Sequence, residues 1–333
     1  MVWLQFFICL IVILAAGTRL ATYADIIAER SGLGHIWVGL ALVAVVTAMP
    51  EMATGISAAA LVVSPDLAIG TLIGSCCFNL SILAILDWLN RRTPVLSQVS
   101  DRHLPSVRWG LILLAIAGLG LYLSQRFSLP SLAWLSIPGA LLLIVYPFGL
   151  RRILRSERAS FTEEIESVAK YASFSLRGAL IRFSIAAAIV ITAGIWLSFI
   201  GDDIAATTGW GSSFVGNLLL AIATSAPELV VGITAVRIGS PNIAVADILG
   251  ANMLDTGMLG LVDVFYVEGS IFAAASLINL AVIAAAALMV AMVGYSITHP
   301  PSRLFLGRVS TYGPWLVAFY LGAAYLLFTF GSA

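Results

Sequence analysis

The chain has 333 residues, 60% of them hydrophobic and only 10% charged, with a formal net charge of zero. Soluble domains are about 45–50% apolar and about 25% charged, so this chain has too few charges to cover a soluble globule. Zero net charge also excludes a generally basic nucleic-acid binder.

Apolar runs long enough to cross a bilayer recur along the chain, and Gly, Pro and charge divide them into about ten predicted spans. In the first half these cover 2–29, 34–62, 66–89, 107–124 and 129–149. In the second half they cover 178–200, 210–236, 242–264, 270–296 and 310–330. The first run lacks a basic leader, and its pattern continues past Arg19 and Asp25 towards Glu29, so it reads as a span and not a signal peptide. The fold class expected is an all-α polytopic membrane protein: two inverted five-helix repeats at 1–149 and 178–333, joined by a cytoplasmic linker at 150–177.

Arginine positions test the count against the positive-inside rule. With the N-terminus outside, the cytoplasmic loops collect Arg30, then Arg91, Arg92, Arg102 and Arg108, and then Arg151, Arg152, Arg155, Arg158, Lys170, Arg177 and Arg182 around the centre. Arg237, Arg303 and Arg308 follow the same rule, and Arg126 is the exception. Outside loops carry Asp202, Asp203 and Glu268 instead. The expected location is the plasma (inner) membrane, multi-pass. The linker reads either as a surface helix facing anionic headgroups or as a solvated tether.

Two segments repeat. Thr47–Asp87 reads TAMPEMATGISAAALVVSPDLAIGTLIGSCCFNLSILAILD, and Thr224–Asp263 reads TSAPELVVGITAVRIGSPNIAVADILGANMLDTGMLGLVD. Thr47 matches Thr224, Pro50-Glu51 matches Pro227-Glu228, Gly55 matches Gly232, Gly74 matches Gly250, Asn79 matches Asp255, and Asp87 matches Asp263. Five spans per half turn the second copy upside down relative to the first. In such inverted repeats, broken helices meet near the midplane.

The chemistry sits at those breaks. Pro50 and Pro227 interrupt helices, and the expectation is that carbonyls around Ala44 and Ala221 are freed to line a cavity. Thr47 and Thr224 add hydroxyls. Glu51 and Glu228 place acids where each costs about 2.5–3.5 kcal/mol on insertion scales. A lone intramembrane Glu can simply pair with Arg or stay protonated; two equivalent Pro-Glu breaks, each followed by a Gly–polar motif, point to a ligand. Asn79 and Asp255 complete an all-oxygen set suited to hard cations such as Ca²⁺ and Na⁺. Asp66 and Asp87 read as helix-end residues at the interface, and Asp247 as a deeper acid that could touch the ion path. Cys9, Cys76 and Cys77 read as small packing residues, and His35, His103 and His299 as loop or interfacial residues. There is no nucleophile–base pair and no His cluster, so neither enzymatic chemistry nor a resident cofactor is expected. The expected partners are inorganic cations and the bilayer, with no obligatory protein partner evident.

The two segments resemble the alpha repeats of the sodium/calcium exchanger family within the calcium/cation antiporter superfamily, whose pattern is Gly-Thr-Ser-Leu-Pro-Glu followed by Gly-Ser-Asn-x-x-Asn or Asp. The resemblance implies alternating exchange of Ca²⁺ against Na⁺, with spans one and six moving across the rest. It implies Glu51 and Glu228 as central Ca²⁺ ligands, assisted by Thr47, Thr224 and the carbonyls of Ala44 and Ala221. Asn79, Asp255, Ser75 and Ser225 would line the remaining positions. Ala48 and Ala251 stand where the family has serines, and Cys76 where it has asparagine. These losses remove oxygens used around Na⁺, which keeps Ca²⁺/H⁺ exchange open as an alternative and a cation channel as a more distant one.

Overall fold

The computed structural model describes residues 1–30, 45–90, 93–127, 131–132, 134–160, 175–300, 304–305 and 309–331. Helix dominates: α1 (Val2–Arg30), α2 (Met49–Ala60), α3 (Pro65–Asn90), α4 (Leu104–Arg126) and α5 (Ile137–Ser160) form the first half. The second half contains α6 (Leu176–Thr208), α7 (Ser212–Thr224), α8 (Ala226–Arg237), α9 (Pro241–Phe265), α10 (Asn279–Thr298) and α11 (Gly313–Phe330). Two-residue antiparallel ribbons pair β1 (Ser131–Leu132) with β2 (Leu135–Ser136), and β3 (Leu304–Phe305) with β4 (Val309–Ser310).

Among the described residues, eight helices are long and apolar enough to cross a membrane, and the bent pair α7–α8 makes a ninth if taken as one span. The chain is therefore an all-α polytopic membrane protein. The predicted span 34–62 falls partly outside the described residues; its described part is helical at 45–47, turns at Ala48 and resumes as α2.

Two predicted boundaries shift. The span drawn at 270–296 begins only at Asn279, after a separate helical turn at Ile271–Ala274 capped by the Ser270 hydroxyl. Helix α5 continues through Pro147 and runs eleven residues into the predicted linker, past Arg151, Arg152 and Arg155. The acidic stretch of that linker lies outside the described residues.

Burial separates the helices by role. Helices α3 and α9 are apolar nearly all round and buried along most of their length, as core helices must be. By contrast α1, α5, α6 and α11 expose large apolar side chains such as Leu4, Ile144, Ile185 and Tyr325, as a lipid-facing surface does. The most extensive helix–helix interface joins α1 to α6, and α2 also lies along α6. Small residues set the closest approaches: a Cβ on Gly74 would meet the Asn217 backbone at 2.5 Å, and one on Gly216 would meet the Leu67 carbonyl at 2.7 Å.

The ends of α3 and α9 are tied to the opposite half in matching ways. Asp87, in the last turn of α3, accepts from the Val95 amide at 2.7 Å, the Tyr312 hydroxyl at 3.0 Å, and both the amide and hydroxyl of Ser310. Its repeat counterpart Asp263 accepts from the Ile271 amide at 2.9 Å and from the amide and hydroxyl of Ser136 at 2.8 and 2.7 Å. Both aspartates are fully buried, which corrects the expectation that Asp87 is an exposed interfacial residue. At the other ends, Asp66 accepts from the Asn279 amide group at 2.6 Å, and Asn242 accepts from the Ser100 amide at 3.2 Å and pairs with the His103 ring at 3.1 Å.

Candidate functional site

Each half breaks a helix at its Pro-Glu motif. A proline at position i removes the donor to the carbonyl at i−4 and crowds it, so the chain turns at Ala48 and at Ser225 before restarting in α2 and α8. The second break bends α7 against α8 by 46°. A wide π-helical turn at Gly216–Leu220 precedes it, the kind of irregular helix that recurs at functional sites. Glu51 and Glu228 then stand in the first turns of α2 and α8, where the helix N-terminus favours negative charge.

Each break is crossed by a long helix of the opposite half at a glycine. A Cβ on Gly17 of α1 would meet the Pro227 ring at 2.6 Å. A Cβ on Gly194 of α6 would meet Ala53 at 2.8 Å and the Pro50 carbonyl at 3.0 Å. The Thr54 hydroxyl donates to the Gly194 carbonyl at 3.1 Å, and Ser57 pairs with Ser198 at 2.7 Å. These glycine crossings bring α1 and α6 directly onto the two motifs.

Helices α3 and α9 close the centre. They meet where Cys76 faces Asn252: the Asn252 side-chain amide donates to the Cys76 carbonyl at 3.1 Å, and the Cys76 thiol donates to the Asn252 carbonyl at 3.5 Å. This crossing is a feature the motif matching did not single out, although Cys76 and Asn252 occupy equivalent places in the two repeats. Cys9, Cys76 and Cys77 are free, buried thiols, as expected of packing residues.

Nine of the ten residues singled out in the sequence lie within the described structure, and all nine are buried: Thr47, Glu51, Ser75, Asn79, Ala221, Thr224, Ser225, Glu228 and Asp255. Ala44 lies outside the described residues. Contacts join the halves directly. The Ser225 hydroxyl donates to Glu51 Oε1 at 2.8 Å, and Ser75 and Thr224 pair through their hydroxyls at 3.3 Å. The Ala221 carbonyl accepts from the Ser225 amide at 3.0 Å and from the Thr224 hydroxyl at 3.3 Å. It is therefore not a vacated carbonyl. The acceptors that lose a donor to Pro50 and Pro227 are four residues upstream, at Val46 and Ala223.

The remaining polar atoms are conspicuous for what they lack. Glu51 Oε2, both oxygens of Glu228, both of Asp255, both of Asp247 and the whole amide of Asn79 are buried with no hydrogen-bond partner. Leaving a buried polar group unpaired costs about 1–3 kcal/mol, and more for a charged one, so these groups call for partners that the protein itself does not supply. Among the described residues, no three Asp, Glu, His or Cys side chains converge on one metal position.

The chain is 28% identical over 250 residues to the inner membrane protein YrbG of Escherichia coli, covering 74% of each chain. It shares the fold of the sodium/calcium exchanger of Methanococcus jannaschii, with a TM-score of 0.60 at 19% identity over 98% of this chain and 99% of that one. It also shares the fold of the H⁺/Ca²⁺ exchanger CAX, with a TM-score of 0.69 at 14% identity over 99% and 85%. The family described as sodium/calcium exchanger protein matches residues 1–152 and 178–333, and with both halves matched the chain belongs to that family.

Proposed function

We propose that this protein is a secondary active antiporter that moves Ca²⁺ across the plasma (inner) membrane by alternating access, exchanging it for Na⁺. The observation that carries the reading is the set of buried, unpartnered oxygens on Glu51, Glu228, Asp255 and Asn79. Carboxylate, amide and hydroxyl oxygens without thiolate or imidazole suit a hard cation. Two ionised glutamates would neutralise one divalent ion. Thr47, Thr224, Ser75 and Ser225 supply hydroxyls at the rim, and Ala44 contributes a carbonyl as a secondary position. The halves 1–149 and 178–333 act as two inverted units around this centre, with the 150–177 segment on the cytoplasmic side. The glycine crossings of α1 and α6 at the Pro-Glu breaks supply the surfaces over which these helices slide to alternate access.

Proton coupling is the second reading, and a specific observation favours it. Ser225 donates to Glu51, but its counterpart Ala48 has no hydroxyl for Glu228. Ala251 likewise cannot mirror the Ser75–Thr224 pair. A small dehydrated Na⁺ needs those oxygens, whereas a proton needs only a carboxylate.

The test is ⁴⁵Ca²⁺ uptake into proteoliposomes under an imposed Na⁺ gradient or an imposed pH gradient. Uptake driven by Na⁺ supports the first reading. Uptake that follows pH alone replaces Na⁺ with H⁺. Flux at channel-like rates with no counter-ion rejects antiport altogether.

A further inference from the structure

Asp247 is buried in α9, 3% exposed, and both of its oxygens lack a partner. It stands eight residues before Asp255, as Thr71 stands eight before Asn79 in the matching helix α3. The two positions are chemically unequal. The Thr71 hydroxyl is satisfied within its own helix by the Leu67 carbonyl at 2.7 Å. Asp247 instead offers a whole unpaired carboxylate in a helix that packs against both α2, the bearer of Glu51, and α8, the bearer of Glu228. Because the repeats are inverted, Thr71 and Asp247 lie on opposite sides of the central cluster. Asp247 is in the second turn of α9.

An intramembrane acid with no protein partner needs a ligand or a wet path. We propose that Asp247 is a cation-binding carboxylate of the transport route, forming with Glu228 an outer position that receives Ca²⁺ on one side of the central oxygen cluster only. It rests on the Ca²⁺ antiport reading and adds that the two access routes are unequal. The route past Asp247 has an acidic stepping position, and the route past Thr71 has a neutral hydroxyl.

The experiment measures ⁴⁵Ca²⁺/Ca²⁺ self-exchange, which needs no choice of counter-ion, in right-side-out and inverted membrane vesicles containing the full chain. With Asp247→Asn, the half-saturating Ca²⁺ concentration should rise about tenfold, the scale on which ligand charge tunes oxygen sites, in one vesicle orientation and not the other. The double variant Asp247→Thr/Thr71→Asp moves the charge across the cluster and should move the shift to the opposite orientation. Size-exclusion profiles and melting temperatures check that each variant is folded. If Asp247→Asn misfolds, Asp247→Ser takes its place. An unchanged half-saturation in both orientations overturns the proposal, as does an equal rise in both or a double variant whose asymmetry stays put. Failure of the underlying reading looks different: wild-type vesicles would show no self-exchange, or exchange indifferent to Glu51→Gln and Glu228→Gln.

Discussion

The two halves share a scaffold and differ in the chemistry they deliver to the centre. The scaffold is mirrored nearly bond for bond. Asp87 and Asp263 each tie off a core helix to an amide eight residues on and to a serine of the other half. Gly17 and Gly194 each press on the other half's Pro-Glu motif. The central groups are not mirrored. Glu51 has a serine donor and Glu228 has none, and Asp255 replaces Asn79 while Asp247 replaces Thr71. A duplicated fold can thus keep its mechanical joints symmetrical while its binding groups diverge. Among the described residues, the buried acids fall into two kinds, one saturated with donors and the other keeping unpartnered oxygens.

The largest effect expected from that division is on transport. Glu51→Gln and Glu228→Gln should each bring ⁴⁵Ca²⁺ exchange in proteoliposomes down to background, because each deletes half the charge that would balance a divalent ion. Neither should cost much stability, since Glu228 and half of the Glu51 carboxylate are buried without partners, and a buried uncompensated charge is a burden to the fold. Wild-type flux in both variants would rule out the proposed site.

The saturated acids should behave in the opposite way. Asp263→Ala strands the Ser136 amide and hydroxyl and the Ile271 amide. At about 1–3 kcal/mol for each buried group left unpaired, the loss should be about 3 kcal/mol or more, read as a lower melting temperature in detergent. Asp87→Ala should do the same through Val95, Ser310 and Tyr312. A melting temperature unchanged in both would mean that these clasps hold nothing.

How much of this division was legible in the sequence depends on the range of the interaction. The Pro-Glu breaks, the Asn79/Asp255 pair and the spanning helices follow from local rules: missing donors, apolar length and repeat matching. The fate of Asp87 did not. A carboxylate in the last turn of a span reads as interfacial, and nothing nearby in sequence announces Ser310 and Tyr312 as its partners. The helical turn ahead of α10 was missed because its residues are as apolar as the span itself, and the bond that sets it apart comes from Asp263. Ala221 was misjudged for a simpler reason: the carbonyl vacated by a proline is four residues back, not six.

The missing hydroxyls give a smaller effect. Ala48→Ser should supply Glu228 with the donor that Ser225 gives Glu51, and the paired variant Ala48→Ser/Ala251→Ser should restore both of the absent oxygens. A hydrogen bond to a charged group contributes about 1.5–3 kcal/mol, so the Na⁺ concentration giving half-maximal ⁴⁵Ca²⁺ flux should fall about tenfold. An unchanged Na⁺ dependence would show that these alanines do not set the counter-ion.

The smallest expected difference lies at the turn into each core helix. Val63 has φ +59°, whereas the second half reaches the equivalent turn through Gly239 at φ +78°. A β-branched residue in the left-handed region pays about 1–2 kcal/mol for the clash of its Cβ with the following carbonyl, and glycine gives back about 0.5–1 kcal/mol through its greater freedom when unfolded. Val63 is substantially exposed, at 47%, so little packing is lost with its side chain. Val63→Gly should therefore raise stability by up to about 1 kcal/mol while leaving Ca²⁺ exchange as it is. A fall in melting temperature would mean that the valine side chain, and not the backbone it strains, sets the balance at this turn, and that the halves differ there in packing as well as in strain.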